Sequence, residues 1–353
     1  MRKQEICLRN ISIRPFFFPF EVCFSDLDLK NVKRVHLFFR FLEKNYIEDN
    51  DCYFRFNYIH EFLTFALMVP GWSSIFNLEM KFVRSKKILG SITSFPKLII
   101  YNNYFIYSAE INFLCFLKKI RNKRCVSSFI GEITRRLNLN GISQAMFTTA
   151  ICFSKSFLTR RFYHYSINPQ KLFNLEFTPI LNFIPNIKLI FGKFEKCVYY
   201  DLKTIKWYIS TRKHLLKFAI YNYFDVKNFF HFFRTIPGVL YTFPLKKNKK
   251  KNLKVISFFS IPEKIIAKTK KKFIFSSYWY FSFFKISLKL SYQKLIENTL
   301  KLGFDLFNIV ESFSDKKNLF RWNFKKGTGR LQFHIFNWKN YKIPAKNNSL
   351  TFF

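Results

Sequence analysis

The spacing of apolar residues changes from stretch to stretch along this chain, and the changes mark its elements. Val126, Phe129, Ile130, Ile133 and Leu137 recur at i, i+3, i+4, i+7 and i+11, one face of a helix. Just before them, Ile111 to Leu117 is a short apolar run of strand length. Val32, Val35, Leu37, Phe38, Phe41 and Leu42 predict a helix within 27–42. His60–Leu67 predicts a second, stopped by Pro70-Gly71. Strands are predicted at 78–84, 88–94, 98–107 and 145–153. Further on come helices at 203–218 and 225–233, the latter with Asp225 as N-cap. Strands at 238–245, 254–261 and 273–284 follow, then a helix at 291–302 ended by Gly303. One order of elements thus occurs twice: helices, a strand hairpin, a strand, a helix, more strands. It divides the chain into 1–200 and 201–353, with no matching repeat in the sequence itself.

The 353 residues are 49% hydrophobic, enough for a sizeable core. The 51 Phe, with many Lys and Asn, point to an A+T-rich genome rather than to a function. A formal charge of +39 and the cluster from Lys246 to Lys251 suit RNA, a ribosome or an anionic membrane as partners. The seven Cys are odd in number and form no CxxC, which suits free thiols in a reducing compartment. The six His show no metal-binding spacing. Uncharged apolar runs stay short of the ~18 residues of a membrane span. Residues 1–14 hold no apolar signal core, so a cytoplasmic protein is expected.

The most informative stretch is 110–172. An apolar strand runs into a loop with Lys118, Lys119, Arg121, Lys123 and Arg124, and a helix starts at once. The first turn of a helix offers free N–H groups and the positive end of its dipole. Strand, basic loop and helix start suit a ligand with several phosphates, such as a dinucleotide or coenzyme A. The glycines of a Rossmann or P-loop motif are missing, and a solvated basic turn is the plainer reading.

Glu110-Ile-Asn-Phe-Leu-Cys115, Lys118-Lys119, Arg121, Lys123-Arg124, Glu132-Ile-Thr-Arg-Arg136, Gly141-Ile142 and Ser166-Ile-Asn-Pro169 resemble the central signature of eukaryotic N-myristoyltransferases. So do Pro70-Gly-Trp72, Gly303-Phe-Asp-Leu-Phe-Asn308, Gly327-Thr-Gly329 and Asn337-Trp338. The resemblance implies an α+β fold: two acetyltransferase-like (GNAT) halves, related by a pseudo-twofold axis, in one saddle-shaped mixed sheet flanked by helices. It implies transfer of myristate from myristoyl-CoA, a co-substrate, to the N-terminal glycine of nascent proteins. No prosthetic group or metal is expected, and a monomer is.

By the same resemblance, 1–200 binds acyl-CoA through Phe113, Leu114, Cys115, Phe116, Arg121, Asn122, Lys123, Arg124, Cys125 and Val126. The N–H groups of Phe113 and Leu114 hold the thioester oxygen, and Asn112 and Thr148 orient the amine. The proton acceptor is the α-carboxylate at Phe353, which follows Trp338 at the family's interval. Tyr46, Ile47, Asp49, Asp51, Phe54, Phe56, Tyr58, Phe162, His164, Ser257, Gly329 and Leu331 are the expected peptide contacts. Thr328 and Asn50 stand where the family carries acids, so substrate choice is expected to be relaxed. A basic RNA- or ribosome-binding protein, or a degenerate acyltransferase kept as a binding module, are the alternatives.

Overall fold

The computed structural model describes residues 11–15, 21–46, 54–121, 125–150, 156–178, 203–245, 254–266, 273–283, 288–311, 316–338, 343–344 and 347–352. In chain order the first half contains β1 (Val22–Asp26), α1 (Val32–Asn45), β2 (Phe54–Phe56), α2 (His60–Leu67), β3 (Asn77–Phe82), β4 (Ile88–Tyr101), β5 (Tyr104–Phe116), α3 (Cys125–Leu139), β6 (Gln144–Thr149), β7 (Leu158–Ser166) and α4 (Pro169–Asn174). The second contains α5 (Lys203–Leu215), β8 (Ile220–Asn222), α6 (Val226–Phe233), β9 (Leu240–Leu245), β10 (Lys254–Ile265), β11 (Phe273–Phe283), α7 (Leu288–Lys301), β12 (Leu306–Val310), α8 (Lys316–Arg321), β13 (Lys325–Phe336) and β14 (Asn348–Ser349).

Among the described residues the strands join into one 14-stranded mixed sheet, in the order β1-β3-β4-β5-β6-β13-β7-β12-β11-β10-β2. The repeat expected from the order of elements is present as a pseudo-twofold relation. In the first half β5 is antiparallel to β4, and α3 carries the chain over to β6, parallel to β5. In the second, β11 is antiparallel to β10, and α7 carries the chain to β12, parallel to β11. Each half then lends a strand across the centre. β7 pairs with β12, β13 pairs with β6, and β7 and β13 pair with each other.

The long strands repeat the relation. β4 pairs with β3 over 88–93 and with β8 over 99–101. β10 pairs with β9 over 254–259 and with β2 over 263–265. Pro96 and Pro262 stand in the two gaps, where a residue without an N–H leaves no ladder bond unmade on that side.

Three expected segments change on inspection. The strands predicted at 88–94 and 98–107 do not exist separately: β4 continues through Pro96, and the chain reverses at Asn102-Asn103. Both asparagines have positive φ, 45° and 68°, which suits a two-residue hairpin. The apolar run 111–117 is the end of a 13-residue strand. β1, β7 and β13 carried no strand signal; β7 reads Leu-Thr-Arg-Arg-Phe-Tyr-His-Tyr-Ser and β13 begins Lys-Lys-Gly-Thr-Gly-Arg. Such polar strands are set by their partners rather than by their own alternation.

The largest core cluster packs α1, α2 and α6 on β4, β5, β10 and β11, with Phe38, Phe62, Phe113 and Phe229 among its buried rings. α3 lies over a second cluster. Its Glu132 is fully buried yet pairs with Arg135 at 2.7 Å and Arg136 at 2.8 Å. Arg136 goes on to Asp26 of β1 and to the carbonyl of Ile75. A buried carboxylate needs such partners, and these fix the helix that follows the basic loop.

Candidate active site

The site begins with a break in the β4–β5 ladder. Ser91 opposes Cys115, but Thr93 opposes Asn112, so Phe113 and Leu114 share one partner, Ile92. This is a β-bulge. Phe113 takes φ +49°, a conformation costly for an aromatic residue. Its buried ring holds it there, against Phe38 at 6.3 Å, Tyr46 at 5.6 Å and Tyr58 at 5.1 Å.

The bulge aims two amides at one place. The hydroxyl of Thr93 donates to the carbonyl of Asn112 at 3.0 Å, and that of Ser91 to the carbonyl of Phe113 at 3.2 Å. Both carbonyls therefore turn toward β4. A trans peptide sets its C=O and N–H on opposite sides. The N–H groups of Phe113 and Leu114 must then point away from β4. On that side β6 has already left, since its pairing with β5 ends at Glu110↔Met146. Two adjacent donors facing a gap between diverging parallel strands are placed to receive an oxygen that gains negative charge.

A polar network borders the bulge. Glu110, 1% exposed, pairs with the ammonium of Lys97 and accepts from Asn112 Nδ2 at 3.0 Å. Lys97 also donates to the carbonyl of Thr351 at 2.7 Å. Asn222 donates to the Thr351 hydroxyl at 2.6 Å, and Tyr280 of β11 hydrogen-bonds the same side chain. The bulge, β11 and the segment 348–352 thus meet at one point. Burial lowers the Lys97 pKa, against the pull of Glu110 upward.

Tyr46, Phe56, Tyr58 and Tyr278 continue the aromatic wall beyond Phe113. Tyr58 lies 5.6 Å from Tyr46 and 5.8 Å from Phe56, which lies 6.1 Å from Tyr278. Glu263 sets a carboxylate into this wall and accepts from the Tyr278 hydroxyl at 2.7 Å. Burial, then neighbouring charge, raises the Tyr58 and Tyr278 pKa well above the ordinary phenol value, so both stay neutral. Phe54 turns elsewhere, onto Phe177 at 5.2 Å. At the central crossing, His164 Nδ1 lies at 2.5 Å from Asn308 Oδ1, and burial lowers its pKa. The lowered pKa favours the neutral ring, and the amide oxygen opposite makes Nδ1–H the donor.

Other expected contacts fall in varied places. Ser257 is buried, its hydroxyl 2.9 Å from that of Thr242. Thr148 is half-buried near the end of β6, paired with Phe333. Phe162, on β7 opposite Val310, lies beneath Gly329. Leu331 packs on the cluster around Ile99 and Phe333. Burial pushes the Cys115 thiol up to about 12, although Arg121 and Arg55 draw it down, which disfavours a thiolate there. The ring of Phe116 meets Phe129 at 5.2 Å and lies where any side chain at Gly90 would fall. Cys125 and Val126 open α3, half-buried. Arg121, the last described residue before α3, donates to the carbonyls of Phe116 at 3.3 Å and of Asn45. It joins the end of β5 to the end of α1. Ile47, Asp49, Asp51, Asn122, Lys123, Arg124 and Phe353 lie outside the described residues.

The sequence reading missed Lys97, Asn222, Tyr278 and Tyr280, and gave Asn308 and Gly327, though inside motifs it singled out, no role in the site. Lys97 had a signal: it is the one charge between Ser94 and Tyr101, in a run that is otherwise mostly apolar.

A bulged strand presenting two amides beside a strand–helix–strand crossover suits the chemistry of acyl transfer. The family profile described as "Myristoyl-CoA:protein N-myristoyltransferase, N-terminal domain" matches residues 2–159, and that of its C-terminal domain matches 193–351. The chain belongs to this family. It is 29% identical to the "Probable glycylpeptide N-tetradecanoyltransferase" of Caenorhabditis elegans, over 96% of this chain and 77% of that protein. It is 30% identical to the glycylpeptide N-tetradecanoyltransferase of Plasmodium falciparum, over 90% of this chain and 79% of that one. A crystal structure of Saccharomyces cerevisiae N-myristoyltransferase with bound myristoyl-CoA superposes with a TM-score of 0.85 at 26% identity, covering 97% of this chain and 85% of the yeast chain.

Proposed function

We propose that this chain transfers myristate from myristoyl-CoA to the N-terminal glycine amine of protein substrates. The observation that supports it most is the paired amides of Phe113 and Leu114. The half 1–200 binds acyl-CoA along Phe113, Leu114, Cys115 and Phe116, with its phosphates toward Arg121, Asn122, Lys123, Arg124 and the first turn of α3. The half 201–353 contributes to the peptide site and the catalytic segment. The glycine nitrogen attacks the thioester carbon; the C–N bond forms, the C–S bond breaks, and coenzyme A leaves as its thiol. Negative charge grows on the carbonyl oxygen, where each amide donor is worth about 3 kcal/mol.

Asn112 and Thr148 orient the amine, and its proton passes to the α-carboxylate that the family resemblance assigns to Phe353. The seating of Thr351 on Lys97 and Asn222 supports that role. The peptide lies along Tyr46, Ile47, Phe56 and Tyr58, with Asp49 and Asp51 reading its basic residues; Phe54, expected among its contacts, packs on Phe177 instead. It reaches Phe162, His164, Ser257, Gly329 and Leu331. The enzyme works as a cytoplasmic monomer, and its charge of +39 draws it to ribosomes, where N-terminal glycines emerge.

Purified protein incubated with myristoyl-CoA and a Gly-initiated peptide should yield acylated peptide and stoichiometric free thiol, and an Ala-initiated peptide should not. Binding of myristoyl-CoA without turnover would instead identify a degenerate module. A short tag fused after Phe353 should suppress turnover and leave acyl-CoA binding intact; full turnover would remove the carboxylate at Phe353 from the mechanism.

A further inference from the structure

The segment 348–352 is held by two buried cations. On one side Lys97, in the middle of β4, gives its ammonium to Glu110 and to the carbonyl of Thr351. The same ammonium stands 4.3 Å from the centre of the Phe352 ring. On the other side Arg160, 1% exposed on β7, donates to the carbonyl of Asn348 at 3.3 Å. Its guanidinium lies 4.8 Å over Phe333, whose ring meets Phe352 edge-on at 5.2 Å. Cation, ring, ring and cation form one column, and the last residues of the segment are threaded through it.

Such an arrangement is poor economy if its purpose is stability. Burying an ammonium and a carboxylate carries a large desolvation cost, and apolar residues of equal volume commonly serve stability as well or better. What a buried cation adds is direction. The Lys97 ammonium has three donors; one goes to Glu110, which also holds Asn112 beside the bulge, and one goes to Thr351. Lys97 therefore fixes the segment relative to the bulge of Phe113 and Leu114. Arg160 acts from the opposite side and keeps the segment from sliding along its own direction.

We propose that Lys97 is a positioning residue for acyl transfer, clamping 348–352 against Glu110 and Asn112 with Arg160 as the counter-clamp. The inference rests on the transfer reaction proposed above, but the clamp is a physical contact that can be measured without it. A misplacement of about 1 Å in a reacting group costs on the order of 100-fold in rate. Removing the clamp should therefore act on kcat and spare ground-state binding.

The test uses the full chain with Lys97→Met and with the double variant Lys97→Met/Glu110→Gln, which leaves no unpaired charge in the core. Both should lower kcat by about tenfold or more, with KM for myristoyl-CoA changed less than about twofold, since that ligand lies along 113–126. Lys97→Arg should recover part of the kcat. Hydrogen exchange at 348–352 should rise in both Met variants. Wild-type kcat in either variant would overturn the proposal. So would full recovery in the double variant, because Lys97 would then only neutralise Glu110. Failure of both to fold would make Lys97 a stability residue and overturn it too. If the wild-type protein transferred no myristate, the proposed reaction would fail, and unchanged exchange at 348–352 would separately sink the clamp.

Discussion

The ring of His164 fills the space in which a side chain at position 327 would have to lie. A Cβ built on Gly327 meets His164 Nε2 at 2.2 Å and Cδ2 at 2.8 Å, and the carbonyl of Phe162 at 3.1 Å. Gly327 is therefore an opening that β13 keeps for a ring carried by β7. The register shift between Lys326 and Arg330 falls at the same place.

Gly327→Ala should push the His164 ring off Asn308 while leaving the bulge at Phe113 alone. The expected result is a KM for a Gly-initiated peptide raised roughly tenfold, about 1.4 kcal/mol of lost binding, with myristoyl-CoA affinity unchanged. Steady-state kinetics with each substrate varied in turn would show it. An unchanged peptide KM would mean that His164 does not touch the peptide.

Acid should destabilise this fold before its carboxylates titrate. His231 on α6 stacks on Phe65 at 5.2 Å, and its Nε2–H donates to the Phe65 carbonyl at 2.8 Å. Burial lowers its pKa to about 4, against a partial rise from that hydrogen bond. An unfolded histidine titrates near 6.5. The folded state therefore resists a proton that the unfolded state takes. The His231 contribution is fully present above about pH 6.5 and is lost as pH falls from there toward 4, by at most about 1.4 kcal/mol per pH unit. His214, lowered to about 4 by burial and by Lys217, acts in the same direction. Urea midpoints at pH 7 and pH 5 should differ in this sense. His231→Gln, which keeps an N–H donor, should narrow the difference; an equal difference in the variant would clear His231.

The fold and the site were legible to different degrees, for physical reasons. α3 and the end of β5 were plain because each presents one regular apolar face to a core. β13 was hidden because its first half is Lys-Lys-Gly-Thr-Gly-Arg and pairs only with partners 160 residues or more away in the chain. The resemblance located Phe113 and Leu114, but only the register with Ser91 and Thr93 explains why their amides share a direction. Lys97, Asn222 and Thr351 could not be grouped from the sequence, because Lys97 and Thr351 are 254 positions apart.

Arg121 gives a prediction that separates two roles. The sequence suggested a phosphate ligand, and the structure shows a strut between Phe116 and Asn45. Arg121→Ala removes both hydrogen bonds and should lower stability by about 1–2 kcal/mol, read as a fall in urea midpoint. If free donors of the guanidinium also serve phosphate, myristoyl-CoA binding should weaken and its salt dependence should flatten. Lost stability with an unchanged salt dependence would assign Arg121 to the strut alone.

The last prediction concerns the hydroxyl of Thr351. It accepts from Asn222 Nδ2 at 2.6 Å, and Tyr280 hydrogen-bonds it from β11. Asn222 belongs to β8, so this one oxygen joins β8, β11 and the segment 348–352 beside Glu110. Thr351→Val keeps the shape and removes the oxygen. Two buried polar groups then lose a partner, at a cost of about 1–3 kcal/mol. Asn222 Nδ2 retains its longer contact, 3.3 Å, to the Thr351 carbonyl, so the segment should loosen rather than detach. The variant should fold, bind myristoyl-CoA normally and turn over more slowly. Asn222→Ala removes the same bond from the other side. If the two act through one contact, the double variant should be little slower than either single one. Fully additive effects on kcat would show that Thr351 and Asn222 act separately, and the hydrogen bond between them would lose its place in the mechanism.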